Sequence, residues 1–226
     1  MSYTKLSYEM RADAPGWPGN FTVEIEPFSL IAQGAEANQY KVNLFNHFGS
    51  HMDGPRHFND NGPRLAEMPL ETFIYEKPLL LDIPKRAMEQ ITVADLEPYR
   101  EQISRSDLLM IRSGFEIERG RNPQLYSHEG PSFSSDVCRY LMDHFRNLKA
   151  VAMDWLSLAC PSRLEDGILA HQYLLGKFHD HYICIIEDLQ FHEVDASRLH
   201  KVWALPLFIE RIDSAPVTVV AEMRDE

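Results

Sequence analysis

Between His47 and His57 the chain reads His-Phe-Gly-Ser-His-Met-Asp-Gly-Pro-Arg-His, which places three of its ten histidines and one carboxylate within eleven residues. In a helix His47 and His51 would share a face, but Asp53 and His57 would point away from it. Gly49, Gly54 and Pro55 also oppose a helix. In an extended chain His47, Gly49, His51 and Asp53 fall on one face, because side chains alternate with period two. Two imidazoles and a carboxylate then converge where a glycine leaves room beside them. That ligand mixture is one that Zn²⁺ and Mn²⁺ accept in open, catalytic sites. His57, beyond the Gly54-Pro55 turn, can fold back toward the same pocket as a proton carrier, since an imidazole pKa near about 6.5 suits acid–base work at neutral pH. The competing reading is a solvated His-rich loop.

Two later residues add to this set. Leu164, Ile168, His171 and Leu175 follow the i, i+4, i+7, i+11 stripe of a helix, which turns His171 inward with the apolar face. Taken alone, such a residue is more often a satisfied core histidine than a ligand. The apolar run Tyr182-Ile183-Cys184-Ile185-Ile186 ends in Glu187, and a carboxylate at the end of a buried strand is costly unless a cation compensates it. If Asp53 and Glu187 both reach the site, their paired negative charges call for more than imidazoles provide, and two divalent ions would neutralise them. His179-Asp180-His181 reads as a polar connecting loop, and His192, Glu193 and His200 as surface residues. The absence of GxSxG, GxGxxG and GxxxxGK[ST] disfavours a serine hydrolase and a nucleotide enzyme.

The elements that must position these residues are legible as short apolar runs. Leu79–Ile83, Leu108–Arg112 and Tyr182–Ile186 read as strands buried on both faces, with Ala150–Met153 and Val217–Val220 as further candidates. Helices are expected after Ser134 or Ser135, with Val137, Leu141 and Phe145 as its stripe, after Thr92 with Asp95 three residues on, and over about 164–177. Pro98 should shorten or kink the second. In the first 45 residues, alternating Phe21, Val23, Ile25 and Tyr40, Val42, Leu44 suggest antiparallel strands. The expectation is a single α/β domain over residues 1–226 with a mixed sheet.

Composition narrows the partners. With 22 Lys+Arg against 34 Asp+Glu the formal net charge is −12, which repels nucleic acid and anionic lipid surfaces. No run approaches the roughly 18 apolar residues of a membrane span, and the N-terminal segment lacks a signal peptide's apolar core. Cys138, Cys160 and Cys184 are odd in number and widely spaced, which suits free thiols in the cytoplasm.

The His47–His57 segment resembles the signature HxGTHxDxPxH of the kynurenine formamidase and metal-dependent cyclase family, with Ser50 in the threonine position. The resemblance extends to Pro15-Gly16-Trp17-Pro18-Gly19, to Ala170-His171-Gln172-Tyr173-Leu174-Leu175, to Ile186-Glu187-Asp188-Leu189 and to Ala204-Leu205-Pro206-Leu207 with Ala215-Pro216-Val217, covering about residues 15–220. It implies that His47, His51 and Asp53 bind metal, that His171 and Glu187 complete a two-metal site holding Zn²⁺ or Mn²⁺, and that Asp53 and Glu187 bridge. It further implies His57 as general acid/base, Trp17 against a substrate's aromatic ring, and a β/β/α, swivelling-domain-like fold assembled as a homodimer or homotetramer. The expected reaction is hydrolysis of an amide C–N bond in a small aromatic molecule, an aryl formamide such as N-formylkynurenine or a cyclic amide such as isatin, by a metal-bound hydroxide. The alternatives are a metal-dependent cyclase or dehydratase on a small hydroxy or keto acid, a non-enzymatic metal or ligand binder, and a closed structural metal site. One departure stands out: His171 and Glu187 are sixteen residues apart, about four more than in the family's formamidases, a difference that a loop absorbs easily.

Overall fold

Alternating residues of the apolar runs are buried on opposite faces of one sheet, so each run must be covered twice. The computed structural model describes residues 1–225. Its strands are β1 (Ser2–Lys5), β2 (Glu24–Ser29), β3 (Gln39–Asn43), β4 (His51–Asp53), β5 (Ile74–Tyr75), β6 (Pro78–Asp82), β7 (Gln90–Ile91), β8 (Leu108–Arg112), β9 (Ser132–Phe133), β10 (Ala150–Met153), β11 (Cys184–Glu187), β12 (Leu199–Pro206) and β13 (Ser214–Met223). The helices are α1 (Val93–Leu96), α2 (Arg100–Ser104), α3 (Ile117–Arg121), α4 (Pro123–His128), α5 (Ser135–His144) and α6 (Leu164–Leu174).

The main sheet runs β5-β12-β13-β4-β11-β10-β8-β6, with β1 added on β13. β6, β8, β10 and β11 run parallel to one another, whereas β4 pairs antiparallel with β11 and β13, and β12 with β13, giving the mixed sheet expected. Leu81, Leu109, Ile111, Val151, Met153 and Ile185 pack against the helical layer. Their neighbours Leu80, Leu108, Met110, Ala150, Cys184 and Ile186 share a second core with Val202, Ala204, Val219 and Ala221 of β12 and β13, because the sheet curls toward a nearly closed barrel. Burial on both faces explains why the parallel strands read as unbroken apolar runs.

Local signals set the helix ends. Ser134 caps α5 by accepting from the Val137 amide, and at the start of α1 the Asp95 carboxylate accepts from both the amide and the hydroxyl of Thr92. Pro98 lies in the 3₁₀ turn that separates α1 from α2, where its missing N–H breaks the helical ladder. α6 ends at Leu174, before residue 177, and its stripe differs from expectation: Leu164 and Ile168 are partly exposed, while His171 and Leu175 are buried.

The N-terminal strands pair antiparallel as expected, but β2 and β3 stand outside the main sheet as a separate two-stranded ribbon. Its register pairs Ile25 with Val42 and Pro27 with Tyr40 on one face, and Glu24 with Asn43 and Glu26 with Lys41 on the other. Ile25, Tyr40 and Val42 are each at least half exposed. A lone ribbon of this kind is marginal in water. Among the described residues no helix is long and apolar enough to cross a membrane.

One close approach controls the placement of α6. A Cβ on Gly167 would lie 2.4 Å from Ala159 Cβ, so the helix seats directly on the segment after β10. Gly167→Ala should therefore destabilise the fold by about 1–3 kcal/mol through overpacking, more than the helix-propensity gain returns. Urea unfolding of the variant, showing a lowered midpoint at unchanged slope, would check this.

Candidate metal centre

The three residues of β4 lie between two longer partners, and their register builds the site. Glu187 of β11 pairs with His51, and Ser214 of β13 pairs with Asp53. His51 and Asp53 are two residues apart and share a face, and a directly paired residue joins that face, so Glu187 comes beside His51. The chain is extended only from His51, not from His47 as the period-two reading required. Gly49 at φ +69° turns it, and His47 reaches the site from the turn before. Beyond β4, Gly54 has Asp213 O 2.6 Å from where its Cβ would be, which brings the start of β13 close. Pro55–His57 is a short 3₁₀ turn that carries His57 back.

His47, His51, Asp53, His57, His171 and Glu187 come together at the end of one cavity of about 340 Å³. Asp53 and Glu187 are almost fully buried, with 1% and 3% exposure. His51 Nε2 lies 3.5 Å from Asp53 Oδ1 and 3.3 Å from Glu187 Oε2. His171 Nε2 lies 3.7 Å from Asp53 Oδ2 and 3.8 Å from Glu187 Oε1. His47 Nδ1 is 3.0 Å from Asp53 Oδ1.

Tautomer and alignment decide what these contacts are. The Gly49 carbonyl is 2.8 Å from His51 Nδ1 and the Gly167 carbonyl 2.7 Å from His171 Nδ1. A carbonyl only accepts, so both Nδ1 atoms carry hydrogen, and it is in the neutral form of each ring that Nε2 presents a lone pair. Those lone pairs face carboxylate oxygens, acceptor against acceptor, which is repulsive unless a cation or a proton lies between. Asp53 Oδ1 is buried without a hydrogen-bond partner, although His47 Nδ1 is within 3.0 Å. A buried anionic oxygen left unaligned with its nearest donor fits a site for a cation. Ligand atoms of His51, Asp53 and Glu187 all lie within 4.8 Å of one another, and so do those of His47, Asp53 and His57. Asp53 belongs to both groups. The donors are imidazole nitrogen and carboxylate oxygen, the set that suits Zn²⁺ or Mn²⁺.

Protonation follows the same crowding. Burial by itself would lower the His47 imidazole, but the carboxylates of Asp53 and Asp213 outweigh it and push the group up to about 10. Burial would raise Asp53, yet the charges of His57, His47 and His51 hold it well below the usual carboxylate range. His171 is raised as well, Glu187 and Asp53 overcoming its desolvation.

Asp213 was not among the sequence candidates. Its Oδ2 lies 2.8 Å from His57 Nδ1 and 3.1 Å from His47 Nε2, and its Oδ1 accepts from Asn46 Nδ2 at 3.0 Å. Burial opposes its ionisation, but bonds to His47 and His57 push it far below the ordinary range. The signal was present: Asp213 immediately precedes a long apolar run, as Glu187 closes one. Glu187 Oε1 is itself held by Ser157 Oγ at 3.0 Å and the Leu158 amide at 2.6 Å. Phe58 stacks on His171 with ring centroids 4.8 Å apart. Trp17, Phe45, Leu164 and Ile168 line the remaining wall, so the helix stripe expected to enter the core instead faces the cavity. His179 and His181 stay outside, paired with Asp143 and Asp180.

Comparison with solved structures gives the fold a class. Isatin hydrolase A from Labrenzia aggregata, solved with benzyl benzoate, superposes with a TM-score of 0.82 at 17% identity, over 99% of this chain and 94% of that one. A structure described as a potential metal-dependent hydrolase with cyclase activity gives 0.75 at 19% identity, over 100% and 99%. By sequence, the kynurenine formamidase of Bacillus thuringiensis subsp. konkukian is 24% identical over 216 residues, 95% of this chain and 94% of that one. The family model described as "Putative cyclase" matches residues 4–159, and the chain belongs to that family. His47, His51, Asp53 and His57 fall within the matched span, whereas His171, Glu187 and Asp213 lie beyond it.

The raised His47 pKa has a direct consequence for metal uptake. At pH 7 the metal-free imidazole is protonated, so a cation taking its place must displace that proton, and affinity should rise with pH by up to about tenfold per unit for each proton released. Calorimetric Mn²⁺ titrations in buffers of different ionisation enthalpy at pH 6 and 8 would count the protons, and zero release would contradict the assignment.

Proposed function

We propose that this protein is a metal-dependent hydrolase that cleaves the amide C–N bond of a small aromatic substrate, either an aryl formamide such as N-formylkynurenine or a cyclic amide such as isatin. One observation carries the reading: two buried carboxylates face imidazole lone pairs at the end of a cavity whose other walls are aromatic and aliphatic. The volume, about 340 Å³, falls in the range of small-molecule sites. Kynurenine formamidase and isatin hydrolase among the similar proteins support the same class of bond.

In this reading His47, His51, Asp53, His171 and Glu187 would hold two divalent ions, Zn²⁺ or Mn²⁺. When bound, such ions polarise a carbonyl oxygen and lower the pKa of water, which is the chemistry that amide hydrolysis needs. The protein's own groups do the rest. Asp213 Oδ2, 2.8 Å from His57 Nδ1, holds that edge of the ring and leaves Nε2 to take up and release a proton at the cavity wall. Glu187 is kept in one orientation by Ser157 and the Leu158 amide. Trp17 and Phe45 offer flat apolar surface to an aromatic ring, and Phe58 shields the His171 side of the site from water.

We also propose that the chain acts in the cytoplasm as a homo-oligomer, a homodimer or homotetramer. Three free, buried cysteines support a reducing compartment. The uncovered apolar face of the β2–β3 ribbon supports self-association.

Elemental analysis after exhaustive dialysis should find two divalent ions per chain, largely lost in His51→Ala. The same preparation should hydrolyse N-formylkynurenine or isatin, and chelation should abolish turnover. His57→Ala should lower the rate by about 10² to 10⁴ while metal stays bound; near-normal turnover would remove the role given to His57. Light scattering should report a multiple of the 26.1 kDa chain mass, reduced by the double substitution Ile25→Lys with Val42→Lys. A monomeric native protein would refute the oligomer.

A further inference from the structure

We propose that Asp188, gripped by Arg119 and Tyr126, is a positioning residue that sets the spacing between Glu187 and His51, and through it the affinity of the centre for its cation. The inference rests on the metal-centre reading above.

Asp188 directly follows Glu187, is fully buried, and adopts φ +56°, a left-handed conformation uncommon outside glycine and, among the other residues, taken chiefly by Asn and Asp. Its carboxylate receives a two-pronged contact from Arg119, with Nε at 2.8 Å and Nη2 at 2.9 Å, and a third bond from the Tyr126 hydroxyl at 2.7 Å. Its main chain is equally committed. The Asp188 amide donates to Trp155 O at 3.0 Å, and its carbonyl accepts from Ser50 Oγ at 2.5 Å. Ser50 is the residue before His51, and its hydroxyl also accepts from the Tyr8 amide at 2.8 Å. The Arg119 guanidinium then lies 3.9 Å from the centre of the Tyr8 ring, closing the circuit. One residue thus ties the end of β11, which presents Glu187, to the start of β4, which presents His51, and anchors both to α3 and α4.

Stability alone is a poor account of this arrangement. A buried ion pair recovers little more than its desolvation costs, and a left-handed aspartate adds strain. What such an over-determined residue provides is a single permitted backbone geometry. Without the fork, Asp188 can relax to negative φ, which rotates the peptide plane joining it to Glu187. The 3.3 Å separation of Glu187 Oε2 and His51 Nε2 would then no longer be enforced. A lysine at position 119 keeps the charge but cannot make two parallel bonds from one planar group.

The test is calorimetric titration with Mn²⁺ of the native protein, Arg119→Lys, Tyr126→Phe and a control, Lys85→Gln, which breaks the Lys85–Asp95 pair away from the cavity; thermal unfolding of each accompanies it. Arg119→Lys should weaken Mn²⁺ binding by about 10- to 100-fold, as loss of groups that orient metal ligands does. Tyr126→Phe, nearly isosteric and able to fold if Arg119→Lys does not, should weaken it by about threefold to tenfold, the worth of one hydrogen bond. Lys85→Gln should lower the melting temperature and leave Mn²⁺ affinity unchanged. Native-like affinity in folded Tyr126→Phe and Arg119→Lys overturns the proposal, as does an equal loss in Lys85→Gln. A native protein that binds neither Mn²⁺ nor Zn²⁺ fails earlier and overturns the metal-centre reading itself.

Discussion

Two carboxylates held nearly out of water, with imidazole nitrogens aimed at them, form an arrangement that calls for positive charge between them. Asp53 and Glu187 are that pair, and much of the surrounding structure serves to keep them apart from solvent and close to each other. The main-chain carbonyls of Gly49 and Gly167 take the Nδ1 hydrogens of His51 and His171, so neither ring can turn its donor inward. Ser157 and the Leu158 amide satisfy one oxygen of Glu187 and leave the other facing His51. A low-dielectric enclosure strengthens whatever positive charge enters and penalises its absence in the same measure.

The sheet supplies this geometry where its character changes. β6, β8, β10 and β11 form a parallel block between two cores, while β12 and β13 run antiparallel on the far side. The three residues of β4 join the two blocks and pair on both edges. A strand so short contributes little cohesion of its own, yet its register brings His51 beside Glu187 and Asp53 beside the start of β13. The same short span lets Gly54 pass against the Asp213 carbonyl, where any larger residue would push the acid away.

Strands buried on both faces announce themselves by unbroken apolar runs, and β8 and β10 were legible to the residue. That His47, His51, Asp53 and His57 would come together was legible for a related reason, since histidines and a carboxylate crowded around glycines have few other uses. The geometry of the cluster was not. A positive φ at Gly49 is compatible with the residue type but not dictated by it, so the straight strand expected from His47 became a turn followed by a strand. Asp213 was less legible because, one residue before β13 and only partly buried, it carries no periodicity of its own and joins the site through a pairing more than 150 residues from the histidine cluster. The α6 stripe was correctly periodic, but periodicity reports an apolar face without distinguishing a packed core from an apolar cavity wall. Nor does alternation reveal whether two strands join the main sheet or stand apart, as β2 and β3 do.

The order of the site residues along the chain has a consequence for biosynthesis. His47 and Asp213 are 166 residues apart in sequence, and β4 has no sheet partner until β11 and β13 exist. A nascent chain that has exposed only the histidine cluster presents a loose chelating segment, with nothing opposite to enclose an ion or to select one. The centre takes shape only once the chain through β13 has left the ribosome, so selective metal loading belongs to the time after that strand has paired. Pairings this distant are also slow to form. During that interval the acidic, His-rich chain depends on the metals around it rather than on its own architecture for what it binds.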